Sequence, residues 1–214
     1  MGKPRNNYAY IDGANLHKGV ENLGWQLNYK RFRIWLKDKY GVAQAYLFIG
    51  LIPKNKDLYT RLQEAGFTLI FKEVVYDNEG KVKGNCDADL VLKATRDAYE
   101  DLFEKAVLVS SDGDYAGLVK FLQEKEKFLA IVSPAISKKC SILLKRTGAK
   151  IAYLNDQKAL IKAWKEKAPG EDEPHRGLFR GDTHIVSSSC WKSIVIHRLR
   201  HLKQPAWMSP KKSL

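Results

Sequence analysis

Four aspartates in this 214-residue chain are of a type and placement that could do chemistry together. Asp112 and Asp114 flank Gly113 in Val107-Leu-Val-Ser-Ser-Asp-Gly-Asp-Tyr115. Asp12 ends the run Tyr8-Ala-Tyr-Ile, and Asp87 opens a stretch of helical spacing, with Asp89 two residues on. Carboxylates brought together repel: two of them ~4 Å apart cost about 4 kcal/mol at an effective dielectric near 20. A group of them must raise one another's pKa values or bind cations. Hard oxygen donors without histidine or cysteine suit Mg²⁺ or Mn²⁺ rather than zinc. Mg²⁺ held by a few carboxylates keeps waters and accepts phosphate oxygens as further ligands. One such metal can generate hydroxide, and a second can stabilise a leaving oxygen. The plainer alternative is that Asp114 only caps a helix and Asp112 only makes a turn.

Topology has to bring these residues together, because sequence does not. Apolar runs predict strands over residues 8–12, 44–50, 67–76, 106–111, 128–133 and 150–154. Helical spacing falls between them, over 29–39, 57–65, 87–103, 115–125, 137–146 and 156–167. In the third of these helices Leu90, Ala94 and Ala98 line one stripe, widened by Val91 and Leu102. In the last, Leu160, Ile161 and Trp164 are the apolar positions. Gly13-Ala-Asn15 reads as a turn, and Gly19, Asn22 and Gly24 as a loop. Residues 77–80 read as another turn. Alternation of strand and helix predicts a three-layer α/β/α domain with a mainly parallel sheet. Parallel strands all end on one edge, where such sheets bind ligands. Asp12 and Asp112 share that edge if their strands are neighbours, and the helix opened by Asp87 starts there too.

The composition is that of an ordinary globular chain, 44% hydrophobic and 29% charged. No apolar run approaches the roughly 18 residues of a membrane span. Three scattered cysteines make no disulfide framework, so a reducing cytoplasm is the expected location. The net charge is +13. Residues 1–169 hold 29 Lys+Arg against 20 Asp+Glu, or +9, and residues 170–214 hold 8 against 4, or +4. A basic surface around an acidic metal site is what a nuclease needs: the surface holds a phosphate backbone and the site cuts it. Periodicity stops near Ala168, which divides the chain into a domain over 1–168 and a flexible basic tail over 169–214. His184, Cys190, His197 and His201 in the tail match no usual zinc spacing.

Ile11-Asp-Gly-Ala-Asn15, Lys83-Gly-Asn-Cys-Asp87 and Ser110-Ser-Asp-Gly-Asp-Tyr115 come in the order and spacing of the NYN domain. The chain resembles this PIN-like ribonuclease family, also known as the DUF88 group, over about residues 7–165. Each motif alone is weak, and three in order are strong. The resemblance implies a PIN-like (Rossmannoid) fold with sheet order 3-2-1-4-5. It also implies an endoribonuclease dependent on Mg²⁺ or Mn²⁺, leaving a 5′-phosphate and a 3′-hydroxyl. Asp12, Asp87, Asp112 and Asp114 would be both catalytic residues and metal ligands. Asn15 would fix the first acidic loop or contact substrate, Ser110 would support the third motif, and Lys83 would lie at the substrate. Ser137 and Lys138, in the last loop, would bind phosphate; a solvated helix cap is the alternative there. Asp89 is a candidate extra acid of the site, but it lies about 200° from Asp87 around a helix, and the alternative is that it faces water.

Other residues carry two readings each. His17 could act on substrate, or be an exposed loop histidine without a role. Trp25 could stack on an unpaired base or pack beneath the loop. Cys86 lacks a nearby histidine and reads as a small packing residue rather than a nucleophile. The expected partner is RNA, with DNA as the alternative; no membrane is expected, and apolar helix faces could pair two copies. The competing function is a non-catalytic RNA-binding or regulatory module that keeps the acids as a structural cation site. A phosphatase using a covalent aspartate would want a second Asp two residues after Asp12, where Ala14 stands.

Overall fold

Side chains that alternate along the strands divide the core into two halves. Ala9, Ile11, Leu47, Val107 and Val109 face one way, and Tyr10, Phe48, Leu108 and Ile131 the other. A sheet buried on both faces needs a helical layer on each, and the computed structural model supplies them. It describes residues 6–72, 75–76, 82–83 and 86–163. In chain order the elements are β1 (Asn7–Asp12), α1 (Gly13–Asn22), α2 (Tyr29–Tyr40), β2 (Val42–Gly50), α3 (Lys56–Glu64), β3 (Thr68–Lys72), β4 (Val75–Tyr76) and β5 (Val82–Lys83). There follow α4 (Asp87–Tyr99), β6 (Ala106–Val109), α5 (Ala116–Glu124), β7 (Phe128–Ser133), α6 (Ile142–Arg146), β8 (Ile151–Tyr153) and α7 (Lys158–Ile161).

The large sheet has the order β3-β2-β1-β6-β7-β8, all neighbours parallel. Counting only its own strands in sequence, this is 3-2-1-4-5 with the sixth added at the edge, so the three-layer α/β expectation holds. Helices α1, α2, α3 and α7 pack on one face through residues such as Leu16, Phe32, Leu62 and Ile161. Helices α4, α5 and α6 cover the other through Leu90, Ala94, Leu118, Leu122 and Leu144. At ~25 cal/mol per Å², burying each Leu or Phe of this kind contributes about 2 kcal/mol.

Several elements differ from the sequence reading. Residues 13–22 form a helix, not a turn and loop. Leu16 and Val20 supply a buried i, i+4 pair. Gly13 and Gly19 are there for close approach: a β-carbon on Gly13 would fall 2.7 Å from the Phe48 carbonyl oxygen, and one on Gly19 2.6 Å from Pro134. The third strand stops at Lys72; Val75–Tyr76 instead pairs antiparallel with Val82–Lys83 in a separate ribbon. Helix α4 ends at Tyr99 because Asp101 turns left-handed (φ 55°) and Leu102 N–H reaches back to the Asp97 carbonyl. Leu102 is therefore 40% exposed and outside the stripe. The predicted 137–146 helix is a 3-10 turn, Ser137–Lys139, followed by α6, which Ser141 caps. In α7 Ile161 is buried but Leu160 is 61% exposed. The turn at 77–80, Trp164 and the tail over 169–214 lie outside the described residues. No helix among the described residues is long and apolar enough to cross a membrane.

Candidate metal centre

The three motifs meet at the carboxyl edge of β1 and β6. These strands pair in parallel, Ile11 opposite Val109, so Asp12 emerges beside the start of the 110–115 loop. Asp87 is the first residue of α4, the helix that returns the chain to β6. Carboxylate oxygens of Asp87, Asp112 and Asp114 all lie within 4.8 Å of one another. Two oxygens bound to one Mg²⁺ at ~2.1 Å stand roughly 3 to 4 Å apart, so small side-chain movements close this group onto a cation. The donor set is all hard oxygen, which fits a divalent cation of the Mg²⁺ type.

The 110–115 loop is held by its own side chains. Asp112 caps the 3-10 turn Gly113–Tyr115, its Oδ1 accepting from Asp114 N–H at 3.1 Å. The cap is thus Asp112, not Asp114, and α5 begins only at Ala116. Buried Ser110 accepts through its hydroxyl from Asp112 N–H at 3.1 Å. It supports the loop and offers no surface to a substrate. Asn15 Oδ1 accepts from both the backbone N–H and the hydroxyl of Ser111, each at 2.9 Å, which ties the first motif to the third.

Asp12 stands behind the other three acids. It is 3% exposed and lies outside the group that converges on one point. Its Oδ1 accepts from Asn15 N–H at 2.9 Å and caps α1, and its Oδ2 lies 3.2 Å from the Tyr115 hydroxyl. That hydroxyl also hydrogen-bonds Asp87 Oδ1. Burial and then the negative charges of Asp12 and Asp87 push the Tyr115 phenol far above its usual range, so it stays a neutral donor. By sequence alone Tyr115 belongs to the third motif with no role of its own. The remaining signal was its position, directly after the acidic turn.

The surrounding residues sort out as follows. Asp89 pairs with Lys72 at 2.8 Å instead of facing water alone. Cys86 has its thiol pushed up to about 12 by burial and then by Asp12, Asp89 and Asp87, which leaves it protonated and a poor nucleophile. His17 sits on α1, half-buried, its pKa lowered to about 4 by burial, so it is not an exposed loop residue. Trp25 is 5% exposed and belongs to the core, which removes it as a stacking platform. Ser137 and Lys138 are exposed, but Ser137 begins a 3-10 turn and caps no α-helix. Lys83 lies in β5, and its side chain is outside the described residues.

Comparison with known proteins bears on the family and the fold. A family model described as the NYN domain matches residues 8–166. No curated protein matches the chain. Among solved structures, a protein of unknown function from Vibrio parahaemolyticus superposes with a TM-score of 0.61 at 20% identity, over 75% of this chain and 99% of that one. At that identity the likeness speaks for the fold alone.

Proposed function

This chain belongs to the NYN domain family, which has a nuclease-like fold, and from that premise we propose that it is a metal-dependent endoribonuclease. The observation that carries the reading is the convergence of Asp87, Asp112 and Asp114. In this reading these three hold Mg²⁺ or Mn²⁺, and Asp12 completes the acidic set from behind. A bound divalent cation supplies Lewis acidity, acidifying water and offsetting charge on a phosphate. The chain's own residues do the rest. Asn15 and Ser110 keep the acidic loops in register, and Asp12 fixes the start of α1. Water attacks phosphorus in line, the bond to the 3′ oxygen breaks, and a proton passes to that oxygen, leaving a 5′-phosphate and a 3′-hydroxyl.

The substrate half of the reading rests on charge. Residues 127–155 contain six Lys+Arg and no Asp or Glu. Lys138, Lys139, Arg146 and Lys150 are exposed on that segment. The segment is joined to the acidic loop, since Ser141 N–H donates to the Ser111 carbonyl at 3.2 Å. Phosphates held there would bring neighbouring phosphodiesters toward the aspartates. The tail over 169–214 would add a further basic contact. The cytoplasm, where RNA is abundant and thiols stay reduced, is the proposed location.

Incubating the full chain with single-stranded RNA, with chelator and then with added Mn²⁺ or Mg²⁺, tests the activity. Cleavage should vanish with chelator and return with either metal. Cleavage at full rate in excess chelator removes the metal mechanism, and RNA binding without cleavage under any metal favours the non-catalytic module. Binding itself should be salt-dependent. With about four phosphate contacts on a single strand, the slope of log K against log salt is about −3, roughly a 50-fold loss for a fourfold rise in salt. Lys138→Ala should reduce that slope by about one contact's share, and a slope indifferent to it takes Lys138 out of the interface.

A further inference from the structure

We propose that Tyr115 is a positioning residue of the metal centre: its hydroxyl joins Asp87 to Asp12 and so sets where the Asp87 carboxylate stands relative to Asp112 and Asp114. The proposal rests on the metal reading above. Its ground is that one buried side chain touches all three motifs. The Tyr115 backbone belongs to the turn that carries Asp114. Its hydroxyl lies 3.2 Å from Asp12 Oδ2, at the end of β1, and hydrogen-bonds Asp87 Oδ1, at the start of α4. A phenol that only fills core needs a single polar partner. This one meets two carboxylates that come from separate elements.

Tyr10 is the internal comparison. It is also buried, and its hydroxyl also meets a carboxylate, Asp97 Oδ2 at 2.9 Å, but that acid is not in the converging group. Tyr10 therefore has the same chemistry in a purely structural setting. Residues that orient ligating carboxylates typically contribute about 10- to 100-fold to metal affinity. They also govern selectivity, because Mg²⁺-like ions demand near-ideal geometry whereas Ca²⁺ tolerates variable geometry.

The test is calorimetric titration of the full chain with Mn²⁺ and with Ca²⁺, without RNA, for the wild type, Tyr115→Phe and Tyr10→Phe. Tyr115→Phe keeps the ring and should weaken Mn²⁺ binding about 10-fold or more while narrowing the Mn²⁺ preference over Ca²⁺. Tyr10→Phe should lower the melting temperature and leave both affinities alone. A folded Tyr115→Phe protein with wild-type Mn²⁺ affinity and preference overturns the proposal but leaves the metal reading standing. A wild type that binds neither ion sinks both. If Tyr115→Phe does not fold, NMR of the wild-type chain with labelled tyrosines decides. A protected Tyr115 hydroxyl proton that persists with Mg²⁺ bound supports the role, and its loss on Mg²⁺ binding overturns it.

Discussion

Asp112→Asn should lower RNA cleavage by about a thousandfold or more, while making the metal-free protein slightly more stable. The activity loss follows from removing one of three converging carboxylates, on which metal activation of water depends. The stability gain is not expected of a turn cap, which Asn would preserve, and is therefore the sharper part. Asn retains an acceptor oxygen, so the bond from Asp114 N–H that holds the 3-10 turn can survive. What disappears is a negative charge within 4.8 Å of two others. At an effective dielectric near 20 each such repulsion is about 3 kcal/mol, but Asp114 is exposed and water screens it, so a net gain of about 1 kcal/mol is the realistic size. That is roughly a 3 °C rise in melting temperature for a chain of this length. Added Mn²⁺ should then stabilise the variant less than the wild type, because ligand-linked stability follows affinity. If Asp112 acts only as a turn cap, Asn preserves the cap and the variant melts and cleaves as the wild type does. Three measurements on one protein, apo melting, its Mn²⁺ shift and RNA cleavage, separate the two cases.

The meeting of Asp87, Asp112 and Asp114 could be read from the sequence because it follows from a rule of topology. Parallel strands end on one edge, and a helix that returns to a strand begins there. Side-chain direction follows from no such rule. Asp12 reaches the same edge but turns inward, where Asn15 N–H donates to it and the Tyr115 hydroxyl lies 3.2 Å away. Tyr115 meets partners 103 and 28 residues away, and in sequence it looks like the first apolar position of a helix. Glycine misled in a physical way. Gly13 and Gly19 resemble loop residues, yet they sit inside α1 because β2 and Pro134 leave no room for a β-carbon. The converse happened at Asp101, which ends α4 in the left-handed region that sequence reasoning reserves for glycine or asparagine.

Asp97→Ala should be the most destabilising of the acidic substitutions, and it should leave metal binding untouched. Asp97 lies on the buried stripe of α4, three residues after Ala94 and seven after Leu90, and is 0% exposed. Lys93, one turn earlier, donates to both of its oxygens at 2.6 and 2.7 Å, and the Tyr10 hydroxyl donates at 2.9 Å. The Lys93 ammonium also stands 4.5 Å over the Tyr46 ring. Removing the carboxylate leaves a lysine and a phenol without their acceptor, and opens a small cavity. Breaking a fully buried pair costs about 3–5 kcal/mol. The Lys93 side chain is 23% exposed and can swing toward water, so roughly 2–4 kcal/mol is expected. That corresponds to a melting temperature lower by roughly 8 °C. Much of this is the penalty of stranded partners rather than the worth of the pair. Replacing Lys93, Asp97 and Tyr10 together by Met, Leu and Phe should therefore recover most of the loss. Asp97 is ten residues from Asp87, about 15 Å along the helix. Well below its melting point, the single variant should bind Mn²⁺ as the wild type does. A folded Asp97→Ala protein that has lost Mn²⁺ affinity would mean that the anchoring of α4 on β1 sets the position of Asp87. The two ends of the helix would then have to be treated as one mechanical unit.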